Sequence, residues 1–234
     1  MAQRGAASAA TAQPPLSRGE IEALCAKAAR GAGMAWGLAE EAGFAAGWLA
    51  VRGIDGPQAL ADHLSVAQGL SWQDICPTVA PGAWTARDGG MLCPVALGAT
   101  LCDFSTLPEA ALDEGGLVVG PVSRPVILVP FLAAMAQRLG HGVDMLWSGR
   151  RVTVAPSGGI EGALGDLTAL DTARLTLRPA PSAPEDAPEA ARLAGRVGSS
   201  RDTLDRLAAM ALRTTVPPSE QSRADAGAGS SDND

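Results

Sequence analysis

The chain has 234 residues, 47% hydrophobic and 18% charged, with a net charge of −7. That balance suits one sizeable core and excludes wholesale disorder. The bases are 17 Arg and a single Lys, with no cluster larger than Arg150–Arg151, and aromatics make up only 3%; without a basic patch or stacking platform, a nucleic-acid partner is excluded.

Residues 1–16 read as a disordered leader that lacks the apolar block of a signal peptide. Ser17, with Glu20 three residues on, forms a capping-box pattern. It opens a helix with Ile21, Leu24, Cys25, Ala28 and Ala29 on one face, closed by Gly31 and Gly33. Further helices are predicted from Gly37 to Arg52 and from Pro57 to Gln68, which makes 17–70 a helical unit.

The centre changes character. Cys93 to Phe104, Gly116 to Val122 and Pro125 to Val129 are short, β-rich and bounded by Pro or Gly. The most apolar stretch, Leu117 to Ala136, is interrupted by Pro121, Arg124, Pro125 and Pro130, so no membrane span is expected. Phe131 to Leu139 returns to helix. Val143–Trp147 and Arg150–Ala155 flank a two-residue turn, Ser148–Gly149. Thr172 to Arg178 alternates, with Ala173, Leu175 and Leu177 on the dry face.

Residues 179–198 are rich in Pro and Ala and read as a linker or exposed loop. Ser199 or Ser200 then caps a helix over 199–214, with Leu204, Leu207, Ala208 and Ala211 as its stripe; 215–234 is a polar tail. The predicted fold class is α+β: an N-terminal helical unit packed on a mixed, largely antiparallel central sheet (91–178), with a C-terminal helix and an extended tail. Residues 17–234 are expected to form one domain.

The most informative segment for chemistry is residues 31–50. Its helix is apolar nearly all round, yet carries Glu40 and Glu41, so at least one carboxylate is expected to be drawn inward. There it must find a partner, such as Arg30 or Arg52, or shift its pKa upward, as general acids and bases do. Asp103, at the end of the apolar run that starts near Cys93, is a second candidate, because ligand-contacting groups often sit at strand edges. Cys93 and Cys102 read as buried structural thiols rather than nucleophiles. His63 reads as a core-edge residue and His141 as a helix cap. Glu40, Glu41 and Asp103 are thus the candidate catalytic residues.

The tail supplies the candidate substrate-binding residues Arg223, Gly227, Gly229, Asp232, Asn233 and Asp234. Its glycines allow close backbone approach, and an Arg among carboxylates suits a substrate carboxylate. The oxygens of Asp232 and Asn233 suit Mg²⁺ or Ca²⁺ as ligand types, but the spacing is not that of a calcium loop. The four cysteines contain no C-x-x-C pair and only two histidines accompany them, so no metal site is predicted. No motif identifies a cofactor.

SRGEIEALCAKAARGAGMAWGLAEEAGFAAGWLA at 17–50 and RTTVPPSEQSRADAGAGSSDND at 213–234 resemble the opening and closing segments of a bacterial family, domain of unknown function 3726. MLCPVALGATLCD at 91–103 and RPVILVPFLAAMA at 124–136 fit the same family. Thr215 stands where the family pattern has an aromatic, and Ser230–Ser231 replace a more apolar pair. The resemblance implies a bacterial source and a tail characteristic of the family; it carries no assigned reaction.

The functional expectation is a cytoplasmic, non-redox enzyme of catabolism acting on a small polar, carboxylate-bearing metabolite. Its alternative is a non-catalytic accessory or partner subunit. A small-molecule ligand and a protein partner or homo-oligomer are compatible with these readings.

Overall fold

The computed structural model describes residues 16–110, 112, 115–181 and 198–214. Three helices open it: α1 (Arg18–Gly31), α2 (Trp36–Ala50) and α3 (Gly56–Ala67). Both bonds of the predicted capping box form, with Ser17 N–H donating to Glu20 Oε2 at 2.7 Å and Glu20 N–H donating to Ser17 Oγ at 3.3 Å. Small residues let α1 and α2 approach closely. A Cβ on Gly43 would stand 2.5 Å from the Glu22 carbonyl oxygen, a contact only glycine avoids. Ala39, Ala42 and Ala45 through Ala50 are all buried, which accounts for the nearly uniform apolarity of α2.

After α4 (Trp72–Ile75) and β1 (Ala83–Trp84), α5 spans Pro94–Phe104. The strand expected over Cys93–Phe104 is therefore a helix. Pro94 occupies its first turn and Cys93 Sγ accepts from Ala96 N–H at 3.5 Å. Pro94 through Gly98 are all buried, so burial all round this first turn masks the 3.6-residue period that would have marked the helix.

Chain order continues with β2 (Leu117–Ser123), a 3₁₀ turn (Pro125–Leu128) and α6 (Val129–Leu139). The 3₁₀ turn replaces the strand expected over Pro125–Val129. Arg124 before it is left-handed (φ 40°, ψ 63°), and Pro125 has no N–H to give a ladder. Then follow β3 (Val143–Trp147), β4 (Arg150–Val154), β5 (Ile160–Gly162), α7 (Leu164–Thr168), β6 (Thr172–Pro179) and α8 (Arg201–Ala211).

The six strands make one sheet in the order β1–β2–β6–β3–β4–β5, parallel at β1/β2 and antiparallel elsewhere. Leu117 and Val119 face Leu177 and Leu175 across β2/β6, and Met145 faces Leu177 and Val152. Ser148 (φ 42°) and Gly149 (φ 74°) turn the predicted hairpin, the positive φ pair that the right-handed strand twist favours. The fold is α+β, with helices first, the mixed sheet next and a helix after it.

On α8 the buried residues are Thr203, Leu207 and Met210; of the expected stripe Leu207 is buried, Leu204 and Ala211 are half-buried and Ala208 is exposed, so the helix is rotated toward Thr203 and Met210. Polar anchors explain the rotation. Thr203 Oγ1 donates to Gln58 Oε1 and Arg206 reaches Asp62 at 3.0 Å, both on α3. Residues 1–15, most of the predicted linker (182–197) and the tail 215–234 lie outside the described residues.

Candidate functional site

Three helices that the sequence places far apart converge on one open groove of about 480 Å³. From α2 come Glu40, Glu41 and Phe44, from α5 Cys102 and Asp103, and from α6 Phe131 and Arg138. Phe44 follows Glu40 and Glu41 by four and three residues, Cys102 and Asp103 follow the lining residue Ala99 by three and four, and Arg138 follows Phe131 by seven, so each helix turns one strip of its surface to the groove. Phe44 and Phe131 meet edge to face with centroids 6.3 Å apart and form an apolar floor. Gly98 is where α5 crosses α6, since a Cβ there would overlap the Phe131 ring.

The candidate catalytic residues Glu40, Glu41 and Asp103 are thus brought together. Two local expectations about them change. Glu40 and Glu41 are both exposed, not drawn inward, because α2 buries its alanine-rich arc and leaves these two facing the groove. Asp103 lies in the last turn of α5 rather than at a strand end.

The groove still perturbs Glu41. Partial burial pushes its carboxyl above the ordinary value, Asp103 and Glu40 add to the effect, and Arg138 opposes it. Arg138 is held by a 2.5 Å hydrogen bond from its guanidinium to the Cys102 carbonyl. Arg30, one of the partners expected for the glutamates, instead donates to the Met34 carbonyl and lies over the Trp36 ring. Arg138 is the groove residue that sequence reasoning missed. The signal was present: Phe131, Ala134 and Arg138 share one face of the predicted helix.

Three of the four cysteines are enclosed. Cys25, Cys93 and Cys102 are buried and free. Burial raises all three thiols, Cys93 to about 12 and Cys102 to about 11, so each stays protonated near neutral pH. His63 is fully buried rather than at the core edge, and Gly140 (φ 72°), not His141, caps α6. The candidate binding residues Arg223, Gly227, Gly229, Asp232, Asn233 and Asp234 lie outside the described residues.

A second polar cavity, of about 450 Å³, is bordered by Asp55, Gln58, Asp62 and Arg124. Arg124 reaches Asp171 at 2.5 Å and Asp62 at 3.6 Å. Gln58 donates to Asp62 at 2.8 Å and Ser199 to Asp55 at 2.7 Å. These groups satisfy one another and fasten α8 and the end of β2 to α3, so this network reads as a clasp.

Among the described residues no helix is long and apolar enough to cross a membrane, and no group of three His, Cys, Asp or Glu is placed to hold a metal ion. No curated protein and no solved structure matches the chain. Residues 16–93 match the model of one family, a stretch that includes Glu40 and Glu41 and stops short of Asp103 and Arg138. Over that stretch the chain matches the family it resembles from sequence, Protein of unknown function (DUF3726).

Proposed function

We propose that the groove between α2, α5 and α6 is the active site of a non-redox enzyme acting on a small polar, carboxylate-bearing metabolite. The observation that carries this reading is the meeting of Glu40, Glu41 and Asp103 with Arg138 over an aromatic floor. Glu41 is the acid/base group: its raised pKa brings its two protonation states closer to balance near neutral pH, where proton transfer is most effective. Arg138 supplies a planar donor fork for the substrate carboxylate. Carboxylates outnumber the cation in the groove, which favours a substrate that also carries an ammonium or similar group, held by Glu40 and Asp103.

The test is a thermal-shift screen of the full chain against amino acids, hydroxy acids and simple carboxylic acids. A specific stabilisation of several degrees, lost in both Glu41→Gln and Arg138→Gln, is expected. A ligand whose shift survives both substitutions would place the site elsewhere, and the absence of any shift across the panel would count against the enzyme reading.

The second reading is a non-catalytic accessory or partner subunit. It is favoured by one observation: Trp36 and Leu212 stand 67% and 69% exposed on one side of the helical unit. Co-purification of a stoichiometric protein partner, together with silence in the ligand screen, distinguishes it.

A further inference from the structure

The groove between α1, α2 and the end of α8 holds about 960 Å³ and lies apart from the carboxylate site. Close helix contacts build it. Gly31 seats the end of α1 against α8, since a Cβ there would overlap the Met210 carbonyl oxygen, as Gly43 seats α2 against α1. The walls are short: Ala23 and Ala26 on α1, Ala39 on α2, and Ala208 and Ala211 on α8. Methyl side chains cannot bridge such a groove, and its volume lies within the roughly 300–1,000 Å³ of small-molecule sites.

Larger apolar surface comes from Leu24 and Trp36. The Trp36 indole is 67% exposed even with the Arg30 guanidinium over its ring, 5.4 Å from the centre. The charged lining is mainly cationic: Lys27, Arg30 and Arg213 stand against the single carboxylate of Glu40. The whole chain carries −7, and Lys27 is its one lysine, so the groove runs against the sign of the molecule and draws anions to itself. A hydrogen bond to the Met34 carbonyl holds Arg30 at the rim, while Lys27 and Arg213 are exposed and can turn toward an anionic head. A small anion alone would meet only solvent-screened charges there, worth little. An uncharged apolar molecule would gain nothing from them. Both features together select an amphiphile, whose body leaves water on the apolar walls while its head meets the cations.

We propose that the groove between α1, α2 and α8 binds a free amphiphilic carboxylate. Its apolar body lies along the alanine walls and the Trp36 indole, and its carboxylate meets Lys27 and Arg213. The inference is independent of the chemistry assigned to the neighbouring carboxylate groove, which shares only Glu40 with this one.

The test titrates the full chain with two fluorescent probes of one shape, anionic anilinonaphthalene sulfonate and uncharged phenylnaphthylamine. The anion is expected to bind at one site, several-fold more tightly than the neutral probe, and dodecanoate should displace it. The Lys27→Glu/Arg213→Glu double variant should weaken the anion about tenfold and leave the neutral probe unchanged, whereas Trp36→Ala should weaken both. High salt should reproduce the selective loss in the unaltered chain, which keeps the test decisive if a variant does not fold. Equal affinity for the two probes, or failure of dodecanoate to compete, would overturn the proposal. Anion binding that ignores both the double variant and salt would place the site elsewhere and overturn it too. An absence of binding, or an affinity that falls as protein concentration rises, would mean that the chain itself or a second copy fills the groove, and would equally overturn it.

Discussion

Arg138 of α6 and Cys102 of α5 are joined by a 2.5 Å hydrogen bond, guanidinium to main-chain carbonyl. That carbonyl belongs to the last turn of α5, where helix carbonyls lack intrahelical partners and a cation is favoured. Arg138 therefore fastens two helices together and carries positive charge to the carboxylate groove. Replacing it by Ala is expected to lower stability by about 1–2 kcal/mol through the lost charged hydrogen bond. Because Arg138 opposes the rise of the Glu41 pKa, the same change should move that pKa further up, as read by NMR titration of the Glu41 side-chain carboxyl. Arg138→Lys keeps the charge but not the fork, so it should restore the titration more than ligand binding. An unchanged Glu41 titration in Arg138→Ala would show that the two groups do not communicate.

Glu41→Gln separates stability from function. The folded state holds the Glu41 proton more tightly than the unfolded chain, whose reference value is 4.5. Above the folded pKa the charged form therefore costs stability, and below 4.5 the cost is gone. The amide should stabilise the protein slightly at pH 7, by no more than about 0.5 kcal/mol for a group this exposed. That advantage should vanish as pH falls through 4.5. The same variant should lose ligand-dependent stabilisation. Denaturant melts at pH 7 and pH 4 check the first half, and a variant less stable than wild type at pH 7 would contradict it.

The sequence carries the frame of this fold more clearly than its groove. Ser17 and Glu20 announce α1 because capping is local, and Ser148–Gly149 announce the β3/β4 hairpin because two-residue turns accept few residue types. The alternation over Thr172–Arg178 marks β6 because one face stays wet. α5 was hidden because Pro94 through Gly98 are buried all round its first turn, with Val95 and Thr100 adding strand-like composition to a helix. Reading α5 as a strand put Asp103 at a sheet edge and concealed that Ala99, Cys102 and Asp103 share a helical face. The convergence of that face with those of α2 and α6 is a tertiary fact, and local periodicity in one chain does not encode it.

His63 gives the clearest pH prediction. It is fully buried with both ring nitrogens unpartnered, and its ring meets Trp72 edge on at 6.4 Å. Burial first, and the nearby Arg124 second, depress its pKa from 6.5 to about 3. The unfolded chain therefore takes up a proton that the folded state refuses. Stability contributed at this site should be complete above pH 6.5 and fall steadily as pH drops toward 3. His63→Phe should flatten that part of the pH–stability curve without lowering stability at pH 7 by more than about 1.5 kcal/mol, since it removes unsatisfied polar atoms at some risk of overpacking. Urea melts from pH 7 to pH 4 measure this, and parallel curves for the two proteins would exclude His63 as the source.

Arg124 pairs a strained backbone with a clasping side chain. Its φ of 40° and ψ of 63° are left-handed, a conformation that costs a non-glycine residue roughly 1–2 kcal/mol. Its guanidinium bridges Asp171 at 2.5 Å and Asp62 at 3.6 Å, and its N–H donates to the Asp171 carbonyl at 2.8 Å. Truncation removes the ion pairs whatever small residue replaces it, so comparing two truncations isolates the backbone. Arg124→Ala keeps the strain, while Arg124→Gly relieves it at some cost in unfolded-state entropy. Both should be less stable than wild type, with the glycine variant ahead of the alanine variant by about 0.5–1 kcal/mol. Both should also raise the His63 pKa, because Arg124 is one of the two causes that lower it. An alanine variant as stable as the glycine one would show that the backbone leaves the left-handed conformation once the side-chain clasp is cut.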